Sequence, residues 1–118
     1  FGSGTVAAGL IYYYKDDGSW EITNANAAAT STGLLGVALD AGTASTVGMC
    51  IRGMVNLITD STGGVGDVLW LETATNGRAA DASPTGDNDI ARVIGYCLNA
   101  DGRRIFFNPD NTFVEVTA

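Results

Sequence analysis

The longest run of strand-forming residues in this chain, Val47 to Thr59, contains no proline and only the glycines Gly48 and Gly53, and it narrows the folds open to everything around it. At period two, Met49, Ile51, Gly53, Val55 and Leu57 fall on one side, while Cys50, Arg52, Met54, Asn56 and Ile58 fall on the other. A dry face backed by a mixed one belongs to a strand. A helix over the same residues would put Arg52 and Asn56 on one stripe among apolar neighbours on every other, and each glycine would cost about 1 kcal/mol relative to alanine. The run is therefore read as the central strand of a β domain. It is a scaffold and carries no chemistry.

The flanking sequence repeats the theme of short strands closed by glycine turns. Leu10 to Lys15 suits a pleated surface, Asp16-Asp17-Gly18 supplies a tight turn, and Ser19 to Thr23 returns as a β-hairpin. Asn24 to Gly33 is small and polar, a connection with room for one helical turn at its alanines. Leu34 to Leu39 predicts a short buried strand whose Gly36 marks a bulge or a close backbone approach, and Asp40 to Thr46 a turn. The glycine-rich loop Asp60 to Gly66 precedes a strand from Asp67 to Glu72. A phosphate loop would need Gly-Lys-Ser/Thr and a helix at that point, so the turn reading stands.

Thr75-Asn76-Gly77 marks a further hairpin, and Asp81 to Asp89 is polar. Ile90 to Asn99 is the second long strand, with Ile90, Arg92, Ile94, Tyr96 and Leu98 expected on one face and Ala91, Val93, Gly95 and Cys97 on the other. Ala100-Asp101-Gly102 turns it into Arg103 to Phe107, and Thr112 to Val116 closes the chain after the turn at Asn108 to Asn111. The expectation is all-β, a barrel or sandwich of about eight to ten short antiparallel strands with glycine-rich turns. Residues 1–9, with Gly2, Gly4 and Gly9, read as a poorly ordered linker leading into a single β domain at 10–118.

Charge and composition then remove function classes. A net charge of -7, with 13 acidic residues against 6 basic ones, has the wrong sign for holding a phosphate backbone or an anionic bilayer. No apolar run approaches the length that spans a membrane. With no histidine, the usual general base and the commonest zinc ligand are missing. The reading is non-enzymatic, with no catalytic residue, metal or cofactor assigned. Cys50 and Cys97 sit in apolar strands and are expected to be reduced, although neighbouring strands would allow them to pair. An apolar fraction of 46% is high for so small a domain and points to surface buried against other subunits.

Each remaining candidate has a plain structural reading beside it. Asp87-Asn88-Asp89 and Asp110-Asn111 are oxygen-rich but lack the ligand spacing of a calcium loop, so solvated turns explain them. In the triple Tyr12 to Tyr14, Tyr13 must face away from its neighbours. At least one of these rings is thus presented to solvent or a partner, and Tyr13 and Trp20 are the rings that could stack on a sugar, although strand aromatics more often belong to the core or to a subunit contact. Arg103-Arg104, a basic doublet in an acidic chain, is expected to pair with carboxylates across a strand or a subunit boundary. Tyr13, Trp20, Arg103 and Arg104 thus form the candidate interface or ligand surface. Three classes of function follow: an assembly protein, a glycan-binding receptor module and, third, an enzyme that degrades glycans or cleaves itself.

Several segments carry a family likeness when taken together: Leu10 to Trp20, Ser31 to Leu39, Gly48-Met49 through Arg52-Gly53-Met54-Val55, Val65-Gly66-Asp67-Val68-Leu69, Arg92 to Leu98, Phe107-Asn108-Pro109-Asp110 and Phe113 to Val116. In this order they resemble, over nearly the whole chain, a domain near the C-termini of tail-fibre-like and other virion structural proteins of tailed bacteriophages, many of them marine or cyanobacterial. The order is also similar to the small β-rich decoration proteins that cement phage capsids. The first likeness is the more specific because of the closing Phe-Asn-Pro-Asp segment. It implies a homo-oligomer, a trimer or another symmetric assembly, on a virion. The partners implied are other virion proteins and, for host attachment, surface glycans. Assembly in a bacterial cytoplasm agrees with reduced cysteines.

Overall fold

Strands form wherever an alternating run is bounded by a turn, and the structure, a computed structural model describing residues 1–118, has thirteen of them. In chain order they are β1 (Thr5–Val6), β2 (Ile11–Tyr14), β3 (Trp20–Ile22), β4 (Leu35–Ala38) and β5 (Gly42–Thr43), then, after one helical turn α1 (Ala44–Val47), β6 (Met49–Cys50) and β7 (Gly53–Asn56). There follow β8 (Val68–Leu71), β9 (Ala79–Ala80), β10 (Ile90–Ala91), β11 (Val93–Cys97), β12 (Arg104–Phe107) and β13 (Val114–Glu115). A 3-10 turn at Ala28–Thr30 stands at the alanines, where the sequence leaves room for it.

The strands make two principal antiparallel sheets, ordered β3-β2-β4-β6 and β7-β12-β11-β8-β9, with β1–β5 and β10–β13 as separate two-stranded pairs. The sheets do not close into a barrel; the all-β expectation is met in its sandwich form. Ile11, Leu35 and Val37 of the first sheet meet Val55, Leu69, Leu71, Ile94, Ile105 and Phe107 of the second in one continuous core. The outer face of the first sheet is buried too. Tyr12, Trp20 and Ala38 pack there with Val6 and Ala44 in a second cluster, to which Tyr14, Ile22, Met49 and Ile51 add their side chains. Two covered faces explain why every residue of β4 is buried, and why a Tyr-Tyr-Tyr strand is useful: alternate rings serve opposite cores.

The expected central strand is absent as one piece. Val47 ends α1, Gly48 turns at φ 90°, Met49 and Cys50 pair with Ala38 and Val37, and Gly53 turns at φ 143° before β7 pairs with β12 in the other sheet. The run is a crossover between sheets. Positive φ, which glycine adopts without penalty, bends the chain at both points. The expected dry face accordingly divides, with Met49 and Ile51 on the second cluster and Val55 and Leu57 in the first.

The second long strand breaks in a related way. Ile90, Arg92 and Ile94 share one face, as the alternation groups them, and that face is buried, but the register between β11 and β8 shifts from Val93 to Gly95. Beyond this bulge the inward residue is Cys97, while Tyr96 and Leu98 are exposed, reversing their expected face. Arg92 is buried, its Nε donating to the Asp110 carbonyl at 2.6 Å and its Nη1 to the Ser31 carbonyl at 3.1 Å. Burial pushes its guanidinium below the ordinary arginine value, and the Asp110 carboxylate offsets part of that. The side chain therefore ties two polar connections to the start of β11, the middle strand of the five-stranded sheet.

Residues 1–9, expected to be a poorly ordered linker, are built into the fold. Ser3 N–H donates to the Gly18 carbonyl, Trp20 N–H donates to the Ser3 carbonyl, and β1 pairs with β5. The Phe1 ring lies 5.3 Å from Tyr14 and 5.5 Å from Trp20. Gly9 links the sheets, its N–H donating to the Ala38 carbonyl while its own carbonyl accepts from Ile58 N–H.

Gly95 tests how tightly the bulge is packed, because a Cβ there would run into the Phe106 carbonyl of β12. Gly95→Ala is expected to lower unfolding free energy by about 2 kcal/mol or more in urea titrations. Gly66→Ala, at φ 85° in open space, is expected to cost about 1 kcal/mol, the conformational part alone. Equal losses at the two positions would show that the backbone approach at Gly95 is unimportant.

Candidate functional site

The four candidate residues separate into three environments. Trp20, expected to be presented to a partner, is buried in the second cluster at 4% exposure, so it offers no stacking platform. Its indole Nε1–H donates to the Phe1 carbonyl at 3.0 Å. The sequence expectation fails because the outer face of the first sheet is covered by β1, α1 and the N-terminal residues.

Tyr13 is half-buried against the first core, and its hydroxyl is engaged. It stands opposite Glu21 on β3 and donates to Oε2 at 2.8 Å, while Lys15 Nζ lies 3.3 Å from the same oxygen and 3.9 Å from Asp17 Oδ2. The Tyr13 hydroxyl, with Lys15 beside it, holds the Glu21 carboxyl below its usual range. Partial burial, then Glu21, pushes the phenol of Tyr13 up. The grouping locks the β2–β3 hairpin rather than waiting for a ligand.

Arg103 and Arg104 are exposed and lie together beside β7. Arg103 Nε donates to the Leu57 carbonyl at 3.2 Å and Arg104 Nε to Asn56 Oδ1 at 3.1 Å. Neither guanidinium forms an ion pair, since the ion pairs in the molecule are those of Lys15 with Asp17 and Glu21; the nearby Asp101 carboxylate accepts from the Arg103 backbone N–H at 3.0 Å. The pairing expected for the doublet within or between subunits is not made within the chain.

An apolar groove of about 590 Å³ adjoins the arginines, lined by Ala7 to Gly9, Ala38, Leu39, Ala41 and Met54 to Ile58, with Arg103 at its margin. Leu39 and Met54 are 56% and 70% exposed, and Ile58 41%. One wall is β7, the edge strand of the five-stranded sheet. Edge strands are usually protected by charge, proline or a covering segment; Gly53-Met54-Val55-Asn56 carries no charge and no proline. Comparison with protein-family models, curated proteins and solved structures finds no match. The groove combines apolar side chains and an unprotected strand edge with an arginine at its margin that makes no ion pair, chemistry of the kind that takes up polypeptide.

Other polar clusters are closed on themselves. Asp89 Oδ2 accepts from Gly86 N–H at 2.8 Å, Asp110 Oδ1 from Thr112 N–H at 3.0 Å, and Asp60 Oδ1 from Thr62 N–H at 2.7 Å. These are turn-forming contacts of aspartate. No three carboxylate or thiol groups gather at a distance that would hold a metal ion. Cys50 and Cys97 are unbonded and lie in different sheets.

Sequence reasoning did not single out Leu39, Met54 or Ile58. Met54 and Ile58 were legible only as apolar members of the mixed face of the long run, and the groove needs the two sheets placed side by side. The Tyr13–Glu21 pair gives a direct titration test. The Glu21 carboxyl is expected to titrate by NMR below the ordinary glutamate range and to move up towards it in Tyr13→Phe. Because its folded value is depressed, its contribution to stability is present above the unfolded carboxyl pKa and is lost as pH falls through the folded one. Acid unfolding of Tyr13→Phe is therefore expected to show less dependence on this group.

Proposed function

We propose that this chain is a non-enzymatic structural domain of a tailed-bacteriophage virion, a tail-fibre or appendage module that acts by packing against copies of itself and against neighbouring virion proteins. The observation carrying the assembly reading is the groove beside β7, where Leu39, Met54 and Ile58 stand exposed along an unprotected strand edge. Apolar surface of this kind beside unpaired arginines is stabilised by covering it with protein. The virion setting comes from the resemblance of the strand-and-turn motifs. It carries with it synthesis in a bacterial cytoplasm and a symmetric, trimeric state.

A glycan-binding module draws less support. Of the two rings nominated for stacking, Trp20 is buried and Tyr13 spends its hydroxyl on Glu21. Light scattering of the purified domain across a dilution series tests the assembly reading. A mass that stays at three chains down to micromolar concentration is the expected result. A monomer at every concentration would overturn self-assembly.

A further inference from the structure

We propose that the groove along β7 receives strand β13 of a second copy of this chain, which adds to the open edge of the five-stranded sheet. The inference rests on the self-assembly reading and names the two surfaces that meet.

The backbone polarity of β7 comes first. Leu57 N–H donates to the Arg103 carbonyl on the β12 side, whereas Ile58 N–H donates to the Gly9 carbonyl on the opposite side. Successive residues of a strand point their hydrogen-bonding groups to alternate sides. Met54 and Asn56 therefore share the side of Ile58, and β7 pairs with nothing there, because Gly9 covers the edge only at Ile58. Their N–H and C=O groups form a template two residues apart.

Strand β13 presents the matching half. Val116 N–H donates to the Asp89 carbonyl and Asn88 N–H donates to the Val116 carbonyl, both at 2.8 Å, so Val114 and Val116 turn towards β10. Phe113 and Glu115 then turn their backbone groups outward, again two residues apart. The side chains fit as well. Phe113 and Val114 are exposed at the end of an otherwise ordered β pair, and a lone two-stranded pair is marginal in water. Joining β10–β13 to the edge of β7 makes it part of a larger sheet.

Charge selects this occupant. The guanidinium groups of Arg103 and Arg104 form no ion pair in their own chain, where the neighbouring Asp101 carboxylate accepts from the Arg103 backbone N–H instead, and Glu115 is exposed and meets no cation. Copies carrying -7 each repel one another, so a contact between these opposite charges offsets that repulsion and sets the docking direction. Pairing β7 with β7 of a second copy would bring no acidic residue, since Gly53 to Asn56 contains none. One groove and one strand per copy make the contact head-to-tail, which closes into a ring or extends as a filament.

The test uses two substitutions at exposed sites. Met54→Lys spoils the groove and leaves β13 intact; Val114→Asp spoils β13 and leaves the groove intact. Each variant alone is expected to assemble at least tenfold more weakly than the parent chain by light scattering. An equimolar mixture is expected to give a dimer and nothing larger, because one good strand meets one good groove. As a second measurement, Arg103→Glu with Arg104→Glu is expected to weaken assembly, and Glu115→Arg in the same chain to recover part of it. A parent oligomer unaffected by these substitutions, or a mixture that stays monomeric, overturns this contact while leaving self-assembly in place. A monomeric parent chain overturns both.

Discussion

The four-stranded sheet is buried on both faces, and the rest of the molecule is arranged around that requirement. A sheet in a sandwich usually needs cover on one side only. Here β2 and β4 carry large side chains in both directions: Ile11, Leu35 and Val37 go to the core between the sheets, and Tyr12, Tyr14 and Trp20 to the outer cluster. Burying an aliphatic or aromatic side chain of this size is worth about 1.5–3 kcal/mol, so leaving the outer face open would expose a substantial part of the folding free energy. Two short strands, one helical turn and the N-terminal residues supply the cover. The hydroxyl of Tyr12, accepting from Ala7 N–H at 2.8 Å, and the indole of Trp20, donating to Phe1, hold that cover in place.

Covering the outer face consumes the segments that would otherwise have shielded the sheet edges. The chain leaves α1, contributes β6 to the first sheet and crosses to the second as β7, so β6 and β7 both finish at edges. Gly9 joins the sheets at the end of β7 and goes no further. The groove is what remains between them. Its apolar character follows from the same sequence that builds the crossover, because Met54 and Ile58 alternate with the core residues Val55 and Leu57. The arginines lie beside it because β12 pairs with β7 through Arg104 and Asn56. An exposed apolar groove thus arises at the point where the sandwich stops closing itself.

Much of the fold was legible in the chain, and the failures have specific causes. The hairpin from Leu10 to Thr23, the short strand before Leu39 and the Arg103 to Phe107 return each follow from local alternation ended by a turn. The Val47 to Thr59 run misled because apolar alternation survives a bend. Glycines inside a strand and glycines that redirect it look alike until partners are known. At Gly95 one extra residue reversed the faces of Tyr96 and Leu98, and nothing local announces such a shift. Trp20 reads as available from sequence because a hairpin ring has no local partner; its cover comes from the N-terminal residues, which fold over it.

By itself the sequence determined the all-β class, the turns, the acidic surface and the alternation that sends side chains to opposite sides of each strand. These are short-range consequences of backbone preference and side-chain polarity. Only the tertiary structure decided which faces are covered, where the long run breaks, and that Leu39, Met54, Ile58 and Arg103 share one groove. Those outcomes depend on contacts between residues far apart in the chain, and the order in which strands pair is set by the joint burial of both sheets rather than by any one segment.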